Sequence, residues 1–194
     1  MAGLRIVVAS YLGERRSGVS GYELLSTQIS LLGGLEAPIV DGIIIVISGP
    51  YQENLLAPIL VAAGRHPQIK VLFRMNAGFS YGGWNYAIQQ SLLVDDYDGD
   101  YFLIEDDYCI VSPAFVEPFY KGKRHAYVCQ LIFDDPVRHA AVSNGLLHGA
   151  VARNVLATTG SLFLLDSCGL DNYTDGEHIQ RTYLKQIELY CAQA

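Results

Sequence analysis

Apolar residues along the first 110 positions fall into two alternating rhythms. Four short runs are aromatic, branched and free of breakers: Leu4 to Ser10, Ile43 to Ser48, Lys70 to Arg74 and Tyr101 to Glu105. They read as strands. The run Ile43-Ile44-Ile45-Val46-Ile47 has no polar interruption, the mark of a strand covered on both faces. Helical stretches lie between them. Ser20-Gly21-Tyr22-Glu23 has the S-x-x-E form of a capping box and opens a helix to about Leu32, stopped by Gly33-Gly34. Asn54 to Ala63 reads as a helix with Pro58 near its first turn and Gly64 at its end, and Gly82 to Leu93 as another.

Beyond Glu105 the pattern weakens. Ser112-Pro113 resembles an N-cap with proline at N1 and predicts a short helix toward Tyr120. Ala126 to Phe133 and Ser161 to Leu165 read as strands, 136–160 as a weakly patterned stretch. Gly176 to Cys191 reads as a final helix with Ile179, Tyr183, Ile187 and Tyr190 on one stripe. Strands alternating with helices mean βαβ units. The fold class is therefore α/β, one domain over 1–194, with a mostly parallel central sheet flanked by helices.

Composition narrows the partners. A chain of 194 residues with 51% hydrophobic content can bury one substantial core. A formal charge of -7 argues against a nucleic-acid surface, though not against a nucleotide ligand. Cysteines at 109, 129, 168 and 191 form no C-x-x-C pair, so neither zinc nor a disulfide framework is expected. No secretory signal is visible and no apolar run is long enough to span a bilayer, so a cytoplasmic protein with no membrane span is the expectation.

The chemistry is concentrated at strand exits. Tyr101-Phe102-Leu103-Ile104 delivers Glu105-Asp106-Asp107 to a carboxyl-terminal strand end, where open α/β sheets bind ligands. Three adjacent carboxylates repel one another unless a cation neutralises them. In extended backbone Glu105 and Asp107 share a face and can serve one hard divalent ion, Mn²⁺ or Mg²⁺; the bland alternative is a solvated acidic loop. Arg74-Met75-Asn76-Ala77-Gly78-Phe79-Ser80-Tyr81-Gly82-Gly83-Trp84-Asn85 lies between a strand and a helix. Its glycines admit close backbone approach, a helix start at Gly82 would offer free N–H groups to an anion, and Arg74 is a cation for a phosphate. There is no G-x-x-x-x-G-K-[ST], no G-x-G-x-x-G after the first strand and no G-x-S-x-G. Trp84 and Tyr81 could stack on a base or sugar, but core packing is the commoner role. His148 could be a further metal ligand, or a structural histidine.

These residues resemble the GT-A glycosyltransferases of the broad family-2 type. The resemblance rests on Ala9-Ser10-Tyr11 after the opening strand, on Arg74, Asn76, Gly78, Gly82 and Asn85 in an R-x-N-x-G…G-x-x-N segment, and on Glu105-Asp106-Asp107 in the place of a D-x-D element. It covers roughly residues 4–110. It implies a single Rossmann-like GT-A domain, with 1–110 as the nucleotide-sugar-binding half and 111–194 as the acceptor side. It further implies that Ser10 and Tyr11 border the nucleobase and that Arg74 touches the nucleotide. Asn76, Gly78, Gly82, Asn85, Glu105 and Asp106 belong to the same binding set. Asp107 would ligate the metal, and Glu105 would share it or hold ribose or sugar. Departures are Ser48-Gly49, where many members carry an Asp, and Glu105 in place of the first Asp of the motif.

The function so implied is metal-dependent transfer of a sugar from a nucleotide-diphosphate donor, a UDP-sugar by preference, to a glycan or other hydroxyl acceptor, with inversion as the expected outcome. Two other classes stay open: a sugar-phosphate nucleotidyltransferase, and a non-catalytic nucleotide- or carbohydrate-binding domain. An inverting transfer needs a carboxylate base. Glu177 and Asp175, at the start of the final helix, are the first candidates. Thr174 to Glu177 is equally a T-x-x-E capping box. Asp134 and Asp135 follow, and a base outside this chain is the remaining alternative.

Overall fold

The computed structural model describes residues 3–14, 18–76, 79–110, 112–117, 127–133, 140–150 and 152–153. Of residues 79, 81, 127–133 and 140–144 the backbone alone is described. The elements run β1 (Leu4–Tyr11), α1 (Gly21–Gly33), β2 (Val40–Ser48), α2 (Glu53–Ala63), β3 (Ile69–Phe73), α3 (Phe79–Leu93), β4 (Asp100–Glu105), β5 (Tyr127–Phe133) and β6 (Ala140–Leu147). They form one six-stranded sheet in the order β3-β2-β1-β4-β6-β5. β1, β2, β3 and β4 are mutually parallel; β6 runs antiparallel to β4, and β5 antiparallel to β6. The expected α/β class with a mostly parallel sheet is what the chain adopts.

Both faces of β1, β2 and β4 are covered, which is why these strands are apolar through their centres. Alternate residues go to opposite sides. Ile6, Val8, Ile43, Ile45, Ile47, Phe102 and Ile104 pack under α1 and α2 with Tyr22, Leu25, Ile29, Leu32, Leu56 and Ile59. Val7, Ala9, Ile44, Val46, Tyr101 and Leu103 pack under α3 with Trp84, Ala87, Ile88 and Leu92. Each fully buried aliphatic or aromatic side chain contributes about 1.5–3 kcal/mol relative to exposure. Trp84 is part of this core: it is fully buried, and its Nε1 donates to the Ile104 carbonyl at 2.9 Å.

Several expectations change in detail. α3 begins at Phe79, three residues before the expected Gly82, because Phe79-Ser80-Tyr81 contains no breaker. Gly82 and Gly83, expected in the opening turn, therefore lie one turn inside the helix. Pro58 sits inside α2, well past its first turn, where it leaves the Asn54 carbonyl without its helical donor. Both residues are exposed, so water can satisfy that carbonyl. Ser112 Oγ accepts from the Ala114 N–H at 3.2 Å, yet 113–116 form turns and helical geometry is reached only at Glu117. β6 lies in the stretch that showed little pattern. The expected strand Ser161–Leu165 and helix Gly176–Cys191 lie outside the described residues.

Candidate functional site

β1 is the pivot of the topology. The chain leaves it through α1 and α2 toward β2 and β3, then returns through α3 to β4 on its other side. The carboxyl ends of β1 and β4 thus diverge at a topological switch point, the usual place for a ligand in an open α/β sheet. A cavity of about 280 Å³ opens there. It is lined by Ala9, Ser10 and Tyr11 from β1, Val46 and Ser48 from β2, Ser80 and Gly83 from α3, Glu105 and Asp106 at the end of β4, and Asn76. That volume sits just below the ~300–1,000 Å³ span of small-molecule sites and suits one ring system rather than a whole nucleotide sugar.

The floor is apolar and small. A Cβ on Gly83 would lie 3.1 Å from the Ala9 Cβ and 3.8 Å from the Val46 Cβ, so α3 approaches the sheet closely only because the residue is glycine. The rim is polar. Ser48 Oγ donates to the Ser10 carbonyl at 3.2 Å, and Ser80 Oγ donates to Glu105 Oε1. Tyr11 folds its ring toward Gly49, whose φ of 108° already belongs to glycine; a Cβ there would stand 2.8 Å from the ring.

The three acids have different surroundings. Glu105 is half-buried and faces the cavity. Asp106 is only 2% exposed, and its Oδ2 accepts from Ser10 Oγ at 2.8 Å and from the Tyr11 N–H at 3.2 Å. Asp107 is exposed and does not line the cavity. β4 ends at Glu105 and 106–107 turn, so the extended alternation expected to put Glu105 and Asp107 on one face does not continue. Among the described residues no three His, Cys, Asp or Glu side chains converge as a ready-made metal cage. A hard divalent ion here would depend on one or two carboxylates, with the phosphates of a ligand completing its shell.

Of the residues singled out from sequence, Ser10, Tyr11, Asn76, Glu105 and Asp106 come together around the cavity. Arg74 follows β3, with β2 and β1 between it and β4. Its N–H donates to the Ile47 carbonyl at 3.0 Å, and its carbonyl accepts from Tyr51 Oη at 2.9 Å. Burial raises the Tyr51 pKa against the opposing pull of Arg74, so the phenol stays a donor at neutral pH. Gly82 is buried in α3. Asn85 lies one turn on, its Oδ1 buried without a hydrogen-bond partner among the described residues. His148 sits at the opposite edge of the sheet: Leu147 pairs with Tyr101 at the start of β4, and His148 Nδ1 stands 3.2 Å from Asp100 Oδ2. It cannot join Glu105 and Asp107 at one ion. β5 runs in the same direction as β4 and ends at Phe133 on the cavity's edge of the sheet. Asp134, Asp135, Asp175, Glu177 and Gly78 lie outside the described residues. Ser48, Ser80 and Gly83 also line the cavity, outside the binding set expected from sequence. The sequence marks Ser48 only as a departure from the family pattern, and Gly83 only as one glycine of the segment after β3.

No protein-family model matches the chain, and no curated protein does. Solved structures do. 4-Diphosphocytidyl-2C-methyl-D-erythritol synthase from Anaerococcus prevotii superposes with a TM-score of 0.51 at 11% identity, over 99% of this chain and 96% of that one. A second 4-diphosphocytidyl-2C-methyl-D-erythritol synthase gives 0.49 at 9%, over 84% and 82%. Residues 1–349 of S. aureus TarS give 0.47 at 10%, over 78% and 48%. At such identity the first of these shows a shared fold. Among the described residues no helix is long and apolar enough to cross a membrane.

Proposed function

We propose that the chain is a nucleotide-dependent transferase that seats the nucleoside end of a nucleotide-diphosphate sugar in the switch-point cavity and passes the sugar to a hydroxyl acceptor. The observation that supports this reading is the cavity itself: an apolar, ring-sized floor of Ala9, Val46 and Gly83, rimmed by Ser10, Ser48, Ser80 and Glu105. A flat base suits the floor, and ribose hydroxyls suit a carboxylate and serine rim. The diphosphate would leave the cavity toward Asp107 and the first turn of α3, where the positive end of the helix dipole favours an anion. A Mn²⁺ or Mg²⁺ ion held by Asp107, with Glu105 beside it, would neutralise the leaving diphosphate. A UDP-sugar donor is the preferred form. Glu177, with Asp175 next to it, is the proposed base; Glu177→Gln should keep UDP affinity and lose about a hundredfold or more in transfer.

A second reading has its own support. The full-length likeness is to a synthase whose name describes a diphosphocytidyl product. A nucleotidyltransferase would use the same cavity for the base but would join a nucleoside triphosphate to a sugar phosphate. Two measurements separate the readings. Release of UDP from a UDP-sugar and a hydroxyl acceptor favours the first; release of pyrophosphate from a sugar phosphate and a nucleoside triphosphate favours the second. Titration calorimetry tests what they share: UDP or CDP should bind more tightly with Mn²⁺ than without, and Asp107→Asn should erase the difference with the fold intact. Equal affinity with and without the ion in the parent protein would remove the metal from the proposal.

A further inference from the structure

The turn that carries the acids is held by a side chain from the opposite layer. In a parallel ladder a residue donates its N–H to a carbonyl of the neighbouring strand and accepts with its own carbonyl from an N–H two residues further on. β1 and β4 follow this pattern up to Asp106, whose N–H donates to the Ala9 carbonyl at 3.1 Å. The next bond should run from the Tyr11 N–H to the Asp106 carbonyl. It runs instead to the Asp106 carboxylate, which also takes the Ser10 hydroxyl. The side chain has replaced its own main chain in the ladder.

The carbonyl thus released turns to α1. Gln28 Nε2 donates to it at 2.9 Å and donates again to the Tyr108 carbonyl at 2.6 Å. One amide therefore brackets Asp107, gripping the backbone on both sides of it. The Tyr108 N–H closes the same turn onto the Glu105 carbonyl at 3.1 Å. Gln28 is 1% exposed, within the apolar stripe of α1, and its Oε1 has no partner among the described residues. An apolar residue of similar shape would avoid that desolvation cost, but would strand both carbonyls.

We propose that Gln28 is a positioning residue of the site. It touches no ligand; with the Asp106 carboxylate it fixes the turn 106–108, and through it the place of Asp107 just beyond the cavity-lining Glu105 and Asp106. Asp106, by the same argument, clasps β1 to β4 rather than binding the ligand. What the turn presents rests on the transferase reading above; the pinning itself does not.

The test uses Gln28→Met, which keeps an unbranched chain and removes both donors, and Gln28→Glu, which keeps the shape but leaves at most one donor for the two carbonyls. Amide exchange is measured in the unliganded protein, and UDP affinity with and without Mn²⁺. Both variants should show faster exchange at Asp106 and Tyr108 than the parent, with the β1 and β2 amides unchanged. UDP affinity without metal should stay within about twofold, while the gain from Mn²⁺ falls about tenfold or more, the usual effect of losing a group that orients a ligating residue. If Gln28→Met alone fails to fold, the Gln28→Glu pair of readings decides. Parent-like exchange at Asp106 and Tyr108 overturns the pinning. Faster exchange with an undiminished Mn²⁺ gain overturns the functional role. A parent protein with no Mn²⁺ gain counts against the metal reading instead, and the exchange arm still judges Gln28.

Discussion

Single residues shape the cavity mostly by being small. Gly83 was legible as one of a glycine pair at a helix start, and the natural reading was that it lets backbone approach a ligand. The structure gives the second glycine a different task. It lies inside α3, where helix propensity disfavours it by roughly 1 kcal/mol against alanine. The compensation is close packing, with Ala9 3.1 Å from where a Cβ would be. Gly83→Val should therefore push α3 away from β1 and lower stability by about 1–3 kcal/mol, the range for overpacking a filled interface. The same methyl groups would enter the cavity, so UDP binding should weaken beyond what the stability loss explains. Urea unfolding and calorimetry on the same sample check both; a variant as stable as the parent that still binds UDP would mean the helix can shift freely. Asp106 teaches the complementary lesson. Three adjacent acids read from sequence as one cluster, whereas their surroundings differ by burial and partner, and no periodicity could have revealed the carboxylate that sits in the ladder between β1 and β4.

Among elements, the junction between α1 and α2 shows how one helix finishes another. Gln52, the N-cap of α2, makes no side-chain capping bond. Tyr22, in the first turn of α1, supplies the missing partner: its Oη accepts from the Gln52 N–H at 2.7 Å and donates to the Pro50 carbonyl at 2.9 Å. Tyr22→Phe keeps the buried ring and strands both groups, which should cost about 1–3 kcal/mol. The check is a lower urea midpoint at unchanged m-value; a midpoint equal to the parent's would mean water replaces the hydroxyl without loss. Such cross-element caps are invisible to local reading, as is β6. Three of the first four strands, β1, β2 and β4, were legible because Ile6 to Val8, Ile43 to Ile47 and Tyr101 to Ile104 must be apolar on both sides under two helical layers. Ala140-Ala141-Val142-Ser143-Asn144-Gly145 has neither size nor alternation, and becomes a strand because β4 and β5 leave a slot between them. The acids at the end of β4 were legible as a site for the same reason the strand was: an apolar run delivered them to the edge where the sheet opens. Ser48 and Ser80 were not, since a lone serine at a strand or helix end carries no pattern.

Across the whole molecule, the two edges of the sheet have separate chemistry. The carboxyl edge of β1, β2 and β4 holds the cavity. The amino edge is closed by ion pairs: Arg5 Nη1 lies 2.7 Å from Asp95 Oδ2, Lys70 Nζ lies 3.2 Å from Asp95 Oδ1, and Arg5 stacks over the Tyr97 ring at 3.9 Å. These contacts tie β1, β3 and the end of α3. Desolvation pushes the Asp95 pKa up, but hydrogen bonds from Lys70 and Arg5, and their charges, outweigh it and hold the carboxyl below its ordinary value. A carboxyl whose folded pKa is depressed contributes stability that is present above its unfolded pKa of about 3.9 and is lost as pH falls through the folded value. Asp95→Asn should therefore be less stable than the parent near neutrality, and the gap should narrow once pH drops below about 4. UDP affinity should be the same in the two proteins, because the ion pairs and the cavity lie at opposite ends of the strands. Asp107→Asn should instead lose metal-linked binding. Urea midpoints across the acid range and calorimetry at neutral pH on both variants decide the matter: if Asp95→Asn also weakens UDP, the amino edge is coupled to the site through β1 and the two edges do not act independently.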